Sequence, residues 1–193
     1  MGFGSLRVIP EEIEIKGVAV RSLLEVLRER FGEGIVDELK GVMAEEDARH
    51  LDAPVLASTW YPIRFYRALH NAAQRQLSRG PELARSLAQE AVGRDFKGVY
   101  RLVAGTLKPE WLLAWAPRQY RRYLRGGVVT LPEIRAGYAR MEMRECHGFD
   151  RSVWMDIMGS GEAILTACGA THLRARIKEG GEGDEAVLEF FWV

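Results

Sequence analysis

Tyr138-Ala139-Arg140-Met141-Glu142-Met143-Arg144-Glu145 alternates apolar and charged side chains residue by residue, the period of two that a strand with one buried face requires and a helix cannot use. Just upstream, Gly126-Gly127 marks the change of period. Val128 to Leu131 is short and β-branched, so the two runs read as a hairpin connected through Pro132 to Gly137. Downstream the alternation returns twice. Leu173, Ala175 and Ile177 alternate with His172, Arg174, Arg176 and Lys178; Gly180 to Asp184 turns the chain; Ala186, Leu188, Phe190 and Trp192 then alternate with their neighbours. Between the two strand pairs, Asp150 is placed to cap a helix from about Arg151 to Cys168, with Trp154, Ile157, Met158, Ile164 and Leu165 available for one face and Gly169 as its stop. The last third therefore reads β-β-α-β-β.

Before Gly126 the spacing is helical. Val20, Leu23, Leu24, Leu27 and Phe31 follow Gly17 on one face and end at Gly32, and Ile35, Val36, Leu39 and Val42 repeat the pattern more briefly. The charged stretch Glu45 to Asp52 reads as a loop or a solvated helical turn. Pro62 stands at the first turn of a helix whose inward face is Tyr66, Leu69, Ala73 and Leu77, stopped by Gly80; Pro81 starts another with Leu83, Leu87 and Ala91, interrupted at Gly93. Asp95 can cap a helix holding Phe96, Val99, Tyr100 and Val103, and Pro109 opens one with Trp111, Leu112 and Trp115 that Pro117 kinks or restarts toward Leu124. The expected fold class is α+β: a lead-in over residues 1–14, then a single domain over 15–193, with a helical lobe at 15–125 and an antiparallel sheet lobe at 126–193.

Composition narrows the function classes. With 27 basic and 27 acidic residues, no overall field draws the chain of 193 residues to nucleic acid. Its two cysteines, Cys146 and Cys168, have neither zinc-site spacing nor the density of a disulfide scaffold, which points to a reduced, cytoplasmic setting. No window approaches the roughly 18 uninterrupted apolar residues of a membrane span, and Met1 to Pro10 has no long apolar run.

Lys16-Gly17, Arg21-Ser22-Leu23-Leu24-Glu25, Trp60-Tyr61-Pro62, Asp95-Phe96-Lys97-Gly98-Val99-Tyr100-Arg101, and Gly148-Phe149-Asp150 with Trp154 together resemble a paralogous myxobacterial family of single-domain proteins that brings no established activity. More remotely, a Lys-Gly opening into a first helix, a helical lobe and then β-β-α-β-β is similar to the superfamily of haem nitric-oxide-binding domains, 4-vinyl-reductase-like ligand sensors and Golgi transport-complex subunits. That resemblance implies a ligand-sensing role. It also implies a Tyr-x-Ser-x-Arg clamp for haem propionates, where this chain offers Tyr120-Arg121-Arg122-Tyr123-Leu124. The cysteine cluster of the zinc-bearing sensors is missing as well, Cys146 and Cys168 lying at opposite ends of one expected helix about 27 Å long. The expectation is a protein without haem and without stoichiometric metal.

Several side chains remain as candidates. His70 shares a helix face with Ile63, Tyr66, Ala73 and Leu77; it reads as a ligand contact or axial metal ligand, or, more commonly for such a position, as a buried imidazole hydrogen-bonded to a tyrosine or carbonyl. Tyr66, His70, Trp111, Trp115 and Trp154 make a candidate ligand-binding set, which core packing also claims. Arg118, Arg121, Arg122 and Arg125 fall at i, i+3, i+4 and i+7, a stripe able to hold a phosphate or carboxylate, or else a solvated helix face. Cys146-His147 lacks a third group to orient it as a catalytic pair. Gly159-Ser160-Gly161 matches no phosphate loop, and close approach of another backbone, from the sheet or a partner chain, explains it better.

No acid-base pair, nucleophile set or metal cluster stands out, so the sequence points away from an enzyme. The reading it supports is a small-molecule-binding or sensory domain with an apolar pocket between helices and sheet, taking a small apolar or aromatic ligand; the alternative is a pocketless protein-interaction or dimerisation module. A homodimer is expected from the apolar early helices and the glycine break.

Overall fold

The computed structural model describes residues 12–99 and 108–193, the side chains of residues 95–99 excepted. Most of the expected lead-in, Met1 to Pro10 included, lies outside the described residues, as do Tyr100, Arg101 and Val103.

The first element among the described residues is a strand at the end of the expected lead-in. β1 (Glu14–Lys16) runs directly into α1 (Gly17–Phe31), which ends where Gly32 takes a φ of 100°. α2 (Ile35–Val42) follows, then a short α3 (Glu45–Ala48) and a 3-10 turn over Arg49–Leu51, so the charged stretch is the solvated helical turn of the two readings. β2 (Trp60–Pro62) pairs antiparallel with β1, Lys16 opposite Trp60 and Ile15 opposite Tyr61, and leads into α4 (Ile63–Gln76). Runs of three residues carry no legible period, and this small sheet is absent from the pattern reading. Gly17 is required here, because a side chain on it would overlap the Leu56 carbonyl oxygen.

α5 (Glu82–Val99) is one continuous helix. Gly93 does not interrupt it and Asp95 does not cap a new one, correcting both expectations: a glycine inside a helix costs about 1 kcal/mol, which the packing of α5 along its neighbour outweighs. After residues 100–107, α6 (Pro109–Leu113) and α7 (Ala116–Tyr123) meet at Trp115, so Pro117 restarts the helix. β3 (Leu124–Arg125) completes the first sheet in the order β2-β1-β3.

The second sheet has the expected β-β-α-β-β course. β4 (Val128–Arg135), β5 (Tyr138–Arg144), α8 (Arg151–Ala167), β6 (Arg174–Gly180) and β7 (Ala186–Phe191) give an antiparallel sheet of order β4-β5-β7-β6. β4 is longer than expected. It continues through Pro132, which the ladder tolerates because the register skips between Thr130 and Glu133. Ala139, Met141 and Met143 of β5, with Ala186, Leu188 and Phe190 of β7, are the buried face, as their alternation requires.

α8 is the centre of the molecule. Asp150 caps it by accepting from the Ser152 and Val153 backbone N–H groups, as its position in the sequence predicts. One side meets the sheet, where Gly161 lies against the Phe190 ring; the other meets α4 and α5, where a side chain on Gly159 would overlap the Arg85 carbonyl oxygen. The two glycines thus serve contacts within the chain and lend no support to a helix contact between copies.

Candidate functional site

The side of α8 that faces the helices is polar although it is buried. Ser152, Asp156 and Glu162 are all buried there, at the spacing of one helix face with Gly159 between them. Opposite Asp156, α4 presents Tyr66 and His70 on the inward stripe that also holds Ile63, Leu69 and Ala73. Tyr66 Oη donates to Asp156 Oδ1 at 3.0 Å, and the Tyr66 and His70 rings meet edge-on at 4.7 Å between centroids. His70, only 1% exposed, has Nε2 3.2 Å from the same Asp156 oxygen. That approach is close enough for charge attraction but out of line for a hydrogen bond, and neither ring nitrogen has a hydrogen-bond partner among the described residues. A buried polar group in that condition costs about 1–3 kcal/mol. Burial, then the neighbouring Asp156 charge, raises the Tyr66 hydroxyl well above the ordinary tyrosine range, so it stays a proton donor to the carboxylate.

Polar contacts continue on both sides of this cluster. Toward the start of α8, Asn71 Nδ2 donates to Asp150 at 2.8 Å, Ser152 Oγ donates to Asn71 Oδ1 at 2.7 Å, and Gln74 Nε2 donates to Ser152 Oγ at 2.8 Å. Toward its end, Arg85 of α5 grips Glu162 through two nitrogens, Nε at 2.7 Å, and Gln89 Nε2 donates to the same carboxylate at 2.7 Å. These bonds satisfy the charges and tie α4 and α5 to the central helix. Asp156 and Glu162 went unremarked in the sequence reading. The available signal was a carboxylate inside the otherwise apolar run Val153-Trp154-Met155-Asp156-Ile157-Met158.

Of the candidate ligand-binding set, the structure brings only Tyr66 and His70 together. Trp154 is fully buried on the sheet side, its indole N–H donating to the Gly183 carbonyl at 2.7 Å and its ring edge-on to Phe149. Trp111 and Trp115 are 66% and 57% exposed and line no interior space. The arginine stripe is divided. Arg118, Arg121 and Arg122 stand on exposed α7, while Arg125 belongs to β3, where it pairs with Glu14 at 3.2 Å and lies over the Trp60 ring at 4.1 Å. Cys146 is buried 4.0 Å from Tyr120 Oη, and burial pushes its thiol up to about 12, which disqualifies it as a nucleophile at neutral pH. Its neighbour His147 pairs instead with Asp184 at 2.7 Å. Among the described residues no group of three or more His, Cys, Asp or Glu side chains could hold a metal ion, and no helix is long and apolar enough to cross a membrane.

The seam between α8 and the helices is closed by direct contact. Two concavities among the described residues lie elsewhere: about 170 Å³ beside Arg140, Arg144 and Glu179 on the outer sheet, and about 300 Å³ beside Phe31, Arg79 and Leu83 at the end of α1. Both sit at or below the lower end for small-molecule pockets.

No family model and no curated protein matches the sequence, so the resemblance to a myxobacterial family finds no support in those comparisons. Solved structures do match. An Fe(II) unliganded H-NOX protein mutant from K. algicida superposes with a TM-score of 0.70 at 13% identity, over 93% of this chain and 97% of that one. An H-NOX mutant from T. Tengcongensis gives 0.65 at 11%, over 92% and 97%. An oxygen-binding H-NOX domain related to soluble guanylate cyclases, in its oxygen complex, gives 0.65 at 12%, over 92% and 95%. At these identities the likeness is one of architecture, in line with the remoter of the two resemblances: the chain has the α+β fold of the H-NOX domains.

Proposed function

We propose that this chain is a non-enzymatic small-molecule-binding sensory domain whose responsive element is the Tyr66–His70–Asp156 cluster, where the helical lobe meets α8. The observation that carries the reading is His70, a buried imidazole whose ring nitrogens make no hydrogen bond among the described residues, Nε2 lying 3.2 Å from an Asp156 oxygen that already accepts from Tyr66. A structural histidine normally finds partners for its ring. One that does not is poised to exchange the carboxylate for a ligand atom, and the change is felt at once by two packed helices. The shared fold with domains that bind small ligands supports a sensory role.

Haem is a poor fit to the residues present, although neighbouring structures are described in terms of haem distortion. The only candidate imidazole faces Asp156 across a closed seam, Gly159 is backed directly by the α5 backbone, and the arginines able to reach propionates stand on an exposed helix. The ligand that suits the cluster is small and is held by a hydrogen bond or a charge, not by a broad apolar pocket. Native mass spectrometry of protein purified from cells tests this. The expected result is a noncovalent adduct on the wild type that is lost in His70→Leu, with the far-ultraviolet circular dichroism of the variant unchanged. Wild-type protein without any adduct, or an adduct that persists in His70→Leu, would count against the reading.

A further inference from the structure

The α6–α7 segment concentrates aromatic and cationic side chains that the buried cluster does not use. Trp111 and Trp115 stand 66% and 57% exposed, and Tyr123 and Val128 are exposed just beyond. Backbone bonds from Ala114 N–H to Glu110 O, Trp115 N–H to Leu112 O and Arg118 N–H to Trp115 O carry the chain through a tight turn from α6 into α7. Trp111 on α6, Trp115 at the turn into α7, and Arg118 and Arg122 on α7 are all exposed, the last three at the spacing of one helical stripe. The other side of the segment is seated through buried Leu113 and Leu124. Lys108, Arg118, Arg121 and Arg122 stand against one acid, Glu110, between residues 108 and 123, in a chain whose net charge is zero, while Arg125 just beyond is paired with Glu14.

We infer that this face docks on an anionic lipid surface, with the two indoles entering the boundary between headgroups and acyl chains and the arginines engaging headgroup phosphates. The occupant follows from shape and charge. The face is built of two short helices carrying exposed indoles, and neither of the two concavities described above is lined by its residues. A bilayer deforms to take two indoles and needs only to be negative, whereas a protein partner must supply a cleft matched to both rings and an acidic rim. Indole rings are favoured at the membrane–water boundary, where the body is apolar and the N–H stays wet. A helix with aromatic and arginine side chains on its free surface has the composition of an interfacial segment. The charge is local, so the overall neutrality of the chain does not oppose it.

The test is co-sedimentation of the full chain with vesicles of phosphatidylcholine, with and without about 30 mol% phosphatidylglycerol. Expected are binding to the anionic vesicles alone, weakening as salt is raised, and a blue shift of tryptophan emission. Trp111→Ala with Trp115→Ala should abolish the shift, and Arg118→Glu with Arg122→Glu should reduce binding by about tenfold or more. All four positions are exposed, so circular dichroism should report an unchanged fold for both variants. The inference is overturned if the wild type stays in the supernatant at low salt, or if the double tryptophan variant binds as well as the wild type. Binding to polyglutamate without binding to vesicles would assign the face to an acidic protein partner and overturn it equally.

Discussion

Glu189 shows how a single side chain can be buried on the face of a sheet that lacks a covering helix. It points away from α8, yet it is only 4% exposed, because Arg140 of β5 and Arg176 of β6 flank it in the same cross-strand row. Tyr138 Oη donates to it at 2.9 Å and Arg176 Nε at 2.8 Å, with Lys178 Nζ 3.8 Å away. Burial pushes its carboxyl upward, but the Arg176 hydrogen bond, the Tyr138 hydroxyl and the charges of Arg176 and Lys178 outweigh that and hold it below the ordinary glutamate range. The unfolded chain therefore takes up this proton first as pH falls. The stabilisation is complete above the ordinary glutamate value of about 4.3 and disappears as pH drops through the lower folded value. Glu189→Gln should cost about 1–2 kcal/mol at pH 7 and progressively less toward pH 3, read from urea midpoints across that range. A difference between the two proteins that does not change with pH would show that the carboxylate charge contributes nothing.

Among the elements, the contact of α5 with α8 is the one on which the closed seam depends. Gly159 lets the α5 backbone approach at Arg85, and the Arg85–Glu162–Gln89 bonds hold it there. Two effects oppose each other in Gly159→Ala: helix propensity gains about 1 kcal/mol, while overlap with a backbone carbonyl costs about 1–3 kcal/mol and cannot be relieved by a rotamer change. The expected net result is destabilisation and a lower urea midpoint. Gly161→Ala, which meets only the edge of the Phe190 ring at 2.8 Å, should be milder. Equal or greater stability of Gly159→Ala would mean that the two backbones are not in contact. The sheet edges are also managed at this scale. β4 carries Pro132 at its register skip and β6 has a skip beside Lys178, so neither presents a regular ladder to another chain.

Across the whole molecule, the same architecture as the H-NOX domains encloses a polar, directly packed seam. The absorption spectrum of purified protein, and of protein given haemin, should show no stoichiometric Soret band; one haem per chain would overturn that expectation and make His70 the first axial ligand to test. Much of this architecture was legible because it follows from neighbouring residues. The alternation at residues 138–144 and 186–191 dictates strands with one buried face, Asp150 dictates where α8 begins, and proline and glycine mark most helix ends, all through periodicity or backbone sterics that act within a few positions. The three-residue strands β1 and β2 were not legible, since their pairing is formed by segments more than forty residues apart with no period to read. Nor was the fate of the aromatics: the same residue type lies fully buried at Trp154 and in solvent at Trp111 and Trp115, and only the packing of whole elements separates them. The candidate site divides the same way. Helical spacing turned Tyr66 and His70 inward together, but Asp156, 90 positions beyond Tyr66, accepts the Tyr66 hydrogen bond and comes beside His70 only when α8 crosses α4, because a side chain's partners are set by tertiary contact and its local sequence sets only the direction in which it points.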